Sequence, residues 1–199
     1  MAAPEENALD TRTVLKGPNG EFKVDRDQYV IVHCNDGKYT EVSKSYVKHC
    51  PFIGEAEGED IPEFGYPAAV LENLIRWAVH YGVDGQAASP LIRPCIYRDF
   101  VYVATDKWDI DFFHQRLCSP LHQKHFLHTM TAAEEFGMKG LLDFMCIGIS
   151  CKLRSKDDSS IAHDVMGIDK ETPVTSEDLA EVTKDYPWFD DAVKATVKK

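Results

Sequence analysis

The sequence predicts an α+β fold, a small sheet with a helical cluster, followed by a C-terminal helical extension. Three observations predict it. The strongest strand-like run, Tyr29 to Cys34, lies early in the chain and is rich in β-branched and aromatic residues. From Pro67 onward apolar residues recur mainly at helical spacing. After Gly140 only helical patterns remain, and their apolar faces must be buried against something.

The composition narrows the class. A chain of 199 residues buries a sizeable core without disulfides or metal. The 44% hydrophobic and 28% charged fractions are those of a globular protein. Its 33 acidic residues against 22 basic ones leave a net charge of -11, which repels nucleic-acid phosphates. No apolar run approaches the roughly 20 residues that span a bilayer, so no membrane role is expected. Met1 to Asp10 lacks an apolar core and carries Glu5, Glu6 and Asp10, which argues against a signal or transit peptide. None of the six cysteines is spaced C-x-x-C, so reduced thiols in cytoplasm and nucleus are expected.

The elements follow in order. Residues 1–27 are polar, with Gly17, Pro18, Asn19 and Gly20 in a turn-rich stretch, and read as a flexible arm. Within it Glu21 to Val24 carries a weak edge-strand pattern. Tyr29 to Cys34, Asn35-Asp36-Gly37 and Lys38 to Val42 read as a β-hairpin, with both Asp36 and Gly37 accepting positive φ. Ser43 to Cys50 reads as a short helix stopped by Pro51. Ile61-Pro62 is extended, because a residue before proline is pushed out of the α region. Pro67 opens a helix whose Val70, Leu71, Leu74, Ile75 and Ala78 share one face, and Gly82 ends it. Residues 82–107 lack helical periodicity and read as a long loop, with a strand at Phe100 to Val103. Trp108 to Arg116 is a short aromatic segment. Ser119 and Pro120 start a helix that runs to Phe136. Leu141 to Arg154 is a helix on which Leu142, Met145, Cys146, Ile149 and Leu153 share a face. Ile161 to Met166 and Ser176 to Lys184 are further helices, and Pro187-Trp188-Phe189 closes the ordered part. The organisation is an arm at 1–27, a domain at 28–140, C-terminal helices at 141–190 and a tail at 191–199.

Chemistry by sequence is sparse. Cys118, His122, His125 and His128 are spaced along a helical sector, as metal ligands are, but one helix seldom supplies a complete tetrahedral set. H-E-x-x-H, G-x-S-x-G, the Walker A loop and G-x-G-x-x-G are absent. No catalytic residue, metal or cofactor is therefore expected. The apolar faces formed by Met145, Ile149, Leu153, Ile161, Val165 and Ile168, with the late Trp188, read as an interaction module.

Ala132-Ala133-Glu134-Glu135-Phe136-Gly137-Met138-Lys139-Gly140-Leu141-Leu142-Asp143, followed by Cys146, resembles the signature helix-turn-helix of the S-phase kinase-associated protein (Skp) family, the adaptor subunits of SCF ubiquitin ligases. Ile161, Met166 to Pro173, the acidic Ser176-Glu177-Asp178 and Trp188 resemble that family's C-terminal block. Tyr29 to Val42, Ile61-Pro62, Val70 to Tyr81 and Trp108-Asp109 leading to Phe112 resemble its earlier landmarks, so the likeness covers residues 28–190. It implies a BTB/POZ fold with extra C-terminal helices and no catalysis. By the same likeness Met145, Ile149, Leu153, Ile161, Val165, Ile168 and Trp188 would meet an F-box protein. The face carrying Glu134 and Glu135 would meet a cullin, and the chain without its partner would form a homodimer.

The departures from the family are specific. Glu134-Glu135 stand where members commonly carry Asn-Tyr, which removes packing area and adds charge to be desolvated on cullin binding. Residues 82–107, acidic and poorly ordered in the family, here carry Leu91, Ile92, Ile96, Tyr97, Phe100 and Tyr102. The segment between Trp108 and Ala132 is about six residues longer than the likeness implies. These departures raise a second reading, a structural subunit that holds an F-box-like partner in a kinetochore or cytoskeletal assembly without cullin.

Overall fold

The computed structural model describes residues 11–17, 20–53, 60–83, 85, 88, 90–93, 96–119, 122–154 and 175–185. The chain divides into two units, Met1–Gly167 and Ile168–Lys199. The first mixes a small sheet with helices, as the α+β reading expects.

Strands β1 (Thr11–Val14), β2 (Tyr29–Cys34), β3 (Tyr39–Ser43) and β4 (Glu63–Phe64) form a sheet in the order β1-β3-β2-β4. The predicted hairpin is β2 and β3, antiparallel with Val30 opposite Val42. Its turn differs from expectation. Only Gly37 has positive φ (76°), and Asp36 does not. Gly37 N–H donates to the Cys34 carbonyl at 2.9 Å and Cys34 N–H to that of Lys38 at 2.8 Å. That is a three-residue loop with a glycine bulge, not a two-residue turn.

The arm is not free over its described residues. Thr11–Val14 pairs antiparallel with β3, placing Arg12 opposite Glu41. Glu41 is 1% exposed, and Arg12 donates to both its oxygens, at 2.6 and 2.9 Å. A carboxylate at that depth needs a charged partner, and the edge strand supplies it. Glu21 to Val24 forms no strand, but Phe22 packs on Tyr39 with ring centroids 4.8 Å apart.

Helix α1 (Lys44–Val47) starts at Ser43, whose hydroxyl accepts from Ser45 N–H. The segment after Pro62 becomes β4, parallel to β2 with Cys34 opposite Phe64. Helix α2 (Ala68–Tyr81) ends at Gly82 as predicted and is buried on most of its circumference. It is the central helix of the unit. Asp36 in the hairpin turn accepts from Ala68 N–H, tying the sheet to the start of α2.

The loop after Gly82 forms no strand at Phe100 to Val103, which is a 3₁₀ turn capped by Asp99. Phe100 and Val103, at the two ends of this turn, both enter the core, a three-residue spacing that a strand would not give. The aromatic segment is α3 (Lys107–Asp111) continued by a π-helix, Phe112–Leu117. The Cys118 N–H donates to the Phe113 carbonyl five residues back, and Phe112, Phe113 and Leu117 all reach the core. The predicted 119–136 helix begins later, at α4 (Phe126–Glu135), after a 3₁₀ turn at Gln123–His125. Helix α5 (Lys139–Arg154) packs against α4. The second unit contributes α6 (Ser176–Asp185), which matches the predicted 176–184 helix. The predicted 161–166 helix lies outside the described residues. Among the described residues no helix is long and apolar enough to cross a membrane.

Candidate interaction surfaces

Helix α5 carries two apolar stripes. Leu141, Phe144, Gly148 and Cys151 face inward and are buried. Leu142, Cys146, Ile149 and Leu153 form a second stripe that keeps exposed or half-exposed surface. Met145 leaves the predicted partner-facing set, because it is 0% exposed and already covered by its own domain. Ile149 and Leu153 keep the half-exposed character that a partner surface needs. Ile161, Val165, Ile168 and Trp188 lie outside the described residues.

Glu134 and Glu135 are exposed at the end of α4. Glu135 is engaged, because the Tyr66 hydroxyl donates to its carboxylate at 2.5 Å. That bond pushes the Tyr66 phenol above its ordinary range. Tyr66 also meets Phe136 edge-on at 6.3 Å, and Phe52 stacks on Phe136 at 5.2 Å. The three rings are each half-buried, so the two carboxylates border an aromatic surface. Sequence reasoning missed this cluster, because Phe52, Tyr66 and Phe136 belong to three separate elements.

The His-rich segment does not assemble a ligand set. Among the described residues no group of three His, Cys, Asp or Glu side chains is placed to hold a metal. Instead His122 and His125 each bury an Nδ1 with no hydrogen-bond partner. Burial first, then Arg116, His125 and Arg76, lowers the His122 imidazole from 6.5 to about 4. Burial also pushes the Cys118 thiol up, against the opposing pull of Lys152, so it is not primed as a thiolate nucleophile. Nearby, buried Asn73 donates to Thr129 at 3.2 Å and accepts from Arg116 at 2.8 Å, while Arg116 also pairs with Glu72. This network joins α2, the π-helix and α4 and is structural.

The long loop divides its apolar residues. Phe100 and Val103 are buried, whereas Ile92, Ile96, Val101 and Tyr102 are exposed, Tyr102 at 64%. Trp77 is 1% exposed and touches Tyr81, Trp108, Phe112 and Phe144. Asp109, beside it in the fold, is equally buried and accepts from the Tyr81 hydroxyl at 2.8 Å. No protein-family model matches the chain, and no curated protein is found to match it.

Proposed function

We propose that this chain is a non-catalytic adaptor of the Skp type, a BTB/POZ-fold protein that binds F-box proteins and links them to a cullin scaffold. The observation that carries the reading is the stripe Leu142, Cys146, Ile149 and Leu153, apolar and incompletely covered on α5. An apolar stripe of this kind is stabilised when a partner helix buries it. The element order is consistent with the reading as well: the hairpin at 29–43, the extended segment after Ile61-Pro62 and helix α2 follow one another in the order of the landmarks that the resemblance rests on.

A second reading has its own observation. Glu135 is already bonded to Tyr66, and Glu134 beside it is exposed, so the face proposed for cullin is acidic. Burying two carboxylates without cationic partners is costly, which favours a structural subunit that holds an F-box-like partner without cullin.

Affinity purification of the full chain, with quantitative mass spectrometry, tests both. Near-stoichiometric cullin together with several F-box proteins is the ligase outcome. One dominant F-box-like partner without cullin is the structural outcome. Neither class of partner, or unchanged recovery with Ile149→Asp, refutes the adaptor reading. Trp188→Ala should weaken the F-box complex by about 2 kcal/mol in calorimetry, as for a buried aromatic anchor.

A further inference from the structure

A cleft of about 220 Å³ lies between helix α2 and the facing segment made of α3 and the π-helix. Arg76 lines it from α2, and Trp108, Asp111, Phe112, Gln115 and Arg116 line it from the other side. A single water takes up roughly 30 Å³, so the cleft has room for a small polyatomic ion.

Two of the lining residues are cations, and they are neighbours. The Arg116 guanidinium is anchored on α2, where its Nε donates to Asn73 at 2.8 Å and its Nη2 donates to Glu72. Asn73 and Arg76 are three residues apart on α2, a spacing that puts them side by side on the helix. Arg116 is therefore held one turn from Arg76. A guanidinium carries five N–H donors, so these two bonds leave Arg116 donors to spare. Its side chain is 19% exposed and Arg76 is half-buried, so solvent reaches both. Their positive potential extends beyond the cleft, because after burial both act, with His125, to lower the His122 imidazole.

The rest of the lining selects the same charge. Asp111, its one carboxylate, already accepts from Gln115 Nε2 at 3.0 Å. Two cations thus stand against one engaged carboxylate, in a chain whose net charge is -11. The aromatic wall agrees. His80 stacks on Trp108 at 3.9 Å and 9°, and Phe112 stacks on it at 4.7 Å and 15°. Two near-parallel rings at these separations fit only on opposite faces, so Trp108 presents its edge to the cleft. An aromatic edge is electropositive and a face electronegative, so this wall offers nothing to a cation and favours an anion.

We propose that this cleft is a binding site for an oxyanion, held by the guanidinium groups of Arg76 and Arg116 against the edge of Trp108. The planar fork of arginine matches the paired oxygens of a carboxylate, sulfate or phosphate. An anion between the two guanidinium groups also offsets the repulsion of neighbouring like charges. The site is independent of the adaptor reading, since none of these residues belongs to the α5 stripe or the Glu134-Glu135 face.

The test uses the full chain labelled with ¹⁵N at neutral pH, with sodium sulfate and sodium acetate as probes and sodium chloride at equal ionic strength as the reference for screening. The Arg116 Nε–H and the Trp108 indole N–H are the reporters, assigned with Arg116→Lys and Trp108→Phe. At least one probe should move both resonances saturably, with a dissociation constant on the order of 10 mM for so small an ion. The stronger of the two tells a tetrahedral from a planar oxyanion, and a saturable response to either supports the site. Arg76→Gln should weaken that probe at least tenfold. Gln115→Glu adds a second carboxylate to the lining at an exposed position and should weaken it as well, even if Arg76→Gln fails to fold. Arg154→Gln, at an exposed position outside the lining, removes the same charge and should leave the affinity unchanged. Responses to sulfate and acetate that match chloride overturn the proposal. Equal weakening by Arg76→Gln and Arg154→Gln overturns it too, because the effect would then be diffuse screening.

Discussion

Replacing Gly148 by alanine is the sharpest test of how the first unit is packed. Gly148 lies within α5, where alanine should gain about 1 kcal/mol from helix propensity alone. A Cβ at this position, however, would lie 2.1, 2.6 and 2.8 Å from three ring atoms of Phe113. Carbon atoms in contact sit roughly 3.5–4.0 Å apart, so ring or helix must move by more than an ångström. The ring has no room to move. It is 0% exposed, stacked on Phe100 at 4.3 Å and met edge-on by Phe144 at 6.1 Å and Phe126 at 6.4 Å. Overpacking in a filled core costs about 1–3 kcal/mol and sometimes more, and this overlap is at the severe end. Net of the helix gain, Gly148→Ala should destabilise the chain by about 2 kcal/mol. Urea denaturation reads this as a lower midpoint at unchanged slope. Adding Phe113→Leu should restore part of the loss, so that the double variant is more stable than the two single losses predict by at least about 0.5 kcal/mol. A Gly148→Ala chain as stable as the parent would refute the packing argument.

Other expectations follow from the same geometry. Arg12→Ala leaves the Glu41 carboxylate buried with its bidentate partner removed and should cost about 2 kcal/mol, with faster amide exchange in Thr11–Val14. Folded His122 titrates near 4 against an ordinary 6.5, so its contribution is fully present above pH 6.5 and is lost as pH falls toward 4. That gap corresponds to at most about 3 kcal/mol, reduced to about 1 by partial exposure, and His122→Gln should flatten the acid limb of the stability profile by that amount. Burial pushes the Cys34 and Cys50 thiols up to about 11 and about 12, so iodoacetamide should modify exposed Cys146 before either in the native chain. Glu134→Asn with Glu135→Tyr should increase cullin association in a pull-down, and no gain would mean that these carboxylates are not the obstacle.

Local patterns made part of this fold legible. A β-branched and aromatic run with Asp36-Gly37 placed β2 and β3, and helical spacing between Pro67 and Gly82 placed α2, because in each the signal lies within a few residues. Strand β1 was not legible. Thr11–Val14 has no apolar pattern of its own, and what holds it is long-range, its ladder with β3 and the pair between Arg12 and Glu41. Phe-Val-Tyr-Val has the β propensity that predicts a strand at Phe100 to Val103. A tertiary slot beside Phe113 and Phe144 overrides that propensity. Of the predicted stripe, Ile149 and Leu153 stay half-buried, but spacing could not tell that Met145, one turn away, points to the core. Nor could it reach the Phe52, Tyr66 and Phe136 cluster, whose members come together only through the fold.

The departures from the Skp resemblance belong together physically. The longer segment after Trp108 contains the π-helix, whose widened turn accompanies burial of Phe112, Phe113 and Leu117. Phe113 is the ring on which Phe100 stacks, and Phe100 anchors the apolar loop. The same ring occupies the space that only a glycine at 148 leaves open on α5. Loop, π-helix and Gly148 therefore form one coupled unit: each is costly without the other two. The consequence is a loop pinned at Phe100 and, earlier in the chain, at Ile92, whose N–H donates to the Val103 carbonyl at 3.2 Å. Ile96 and Tyr97 between these pins, and Val101 and Tyr102 after Phe100, are exposed, so the coupled unit buries one part of the loop's apolar surface and presents the rest. Loosening it at Gly148 should thus disturb the ring packing from Phe113 through Phe144 to Trp77 and the exposed loop face together, while Ile149→Asp should leave both unchanged.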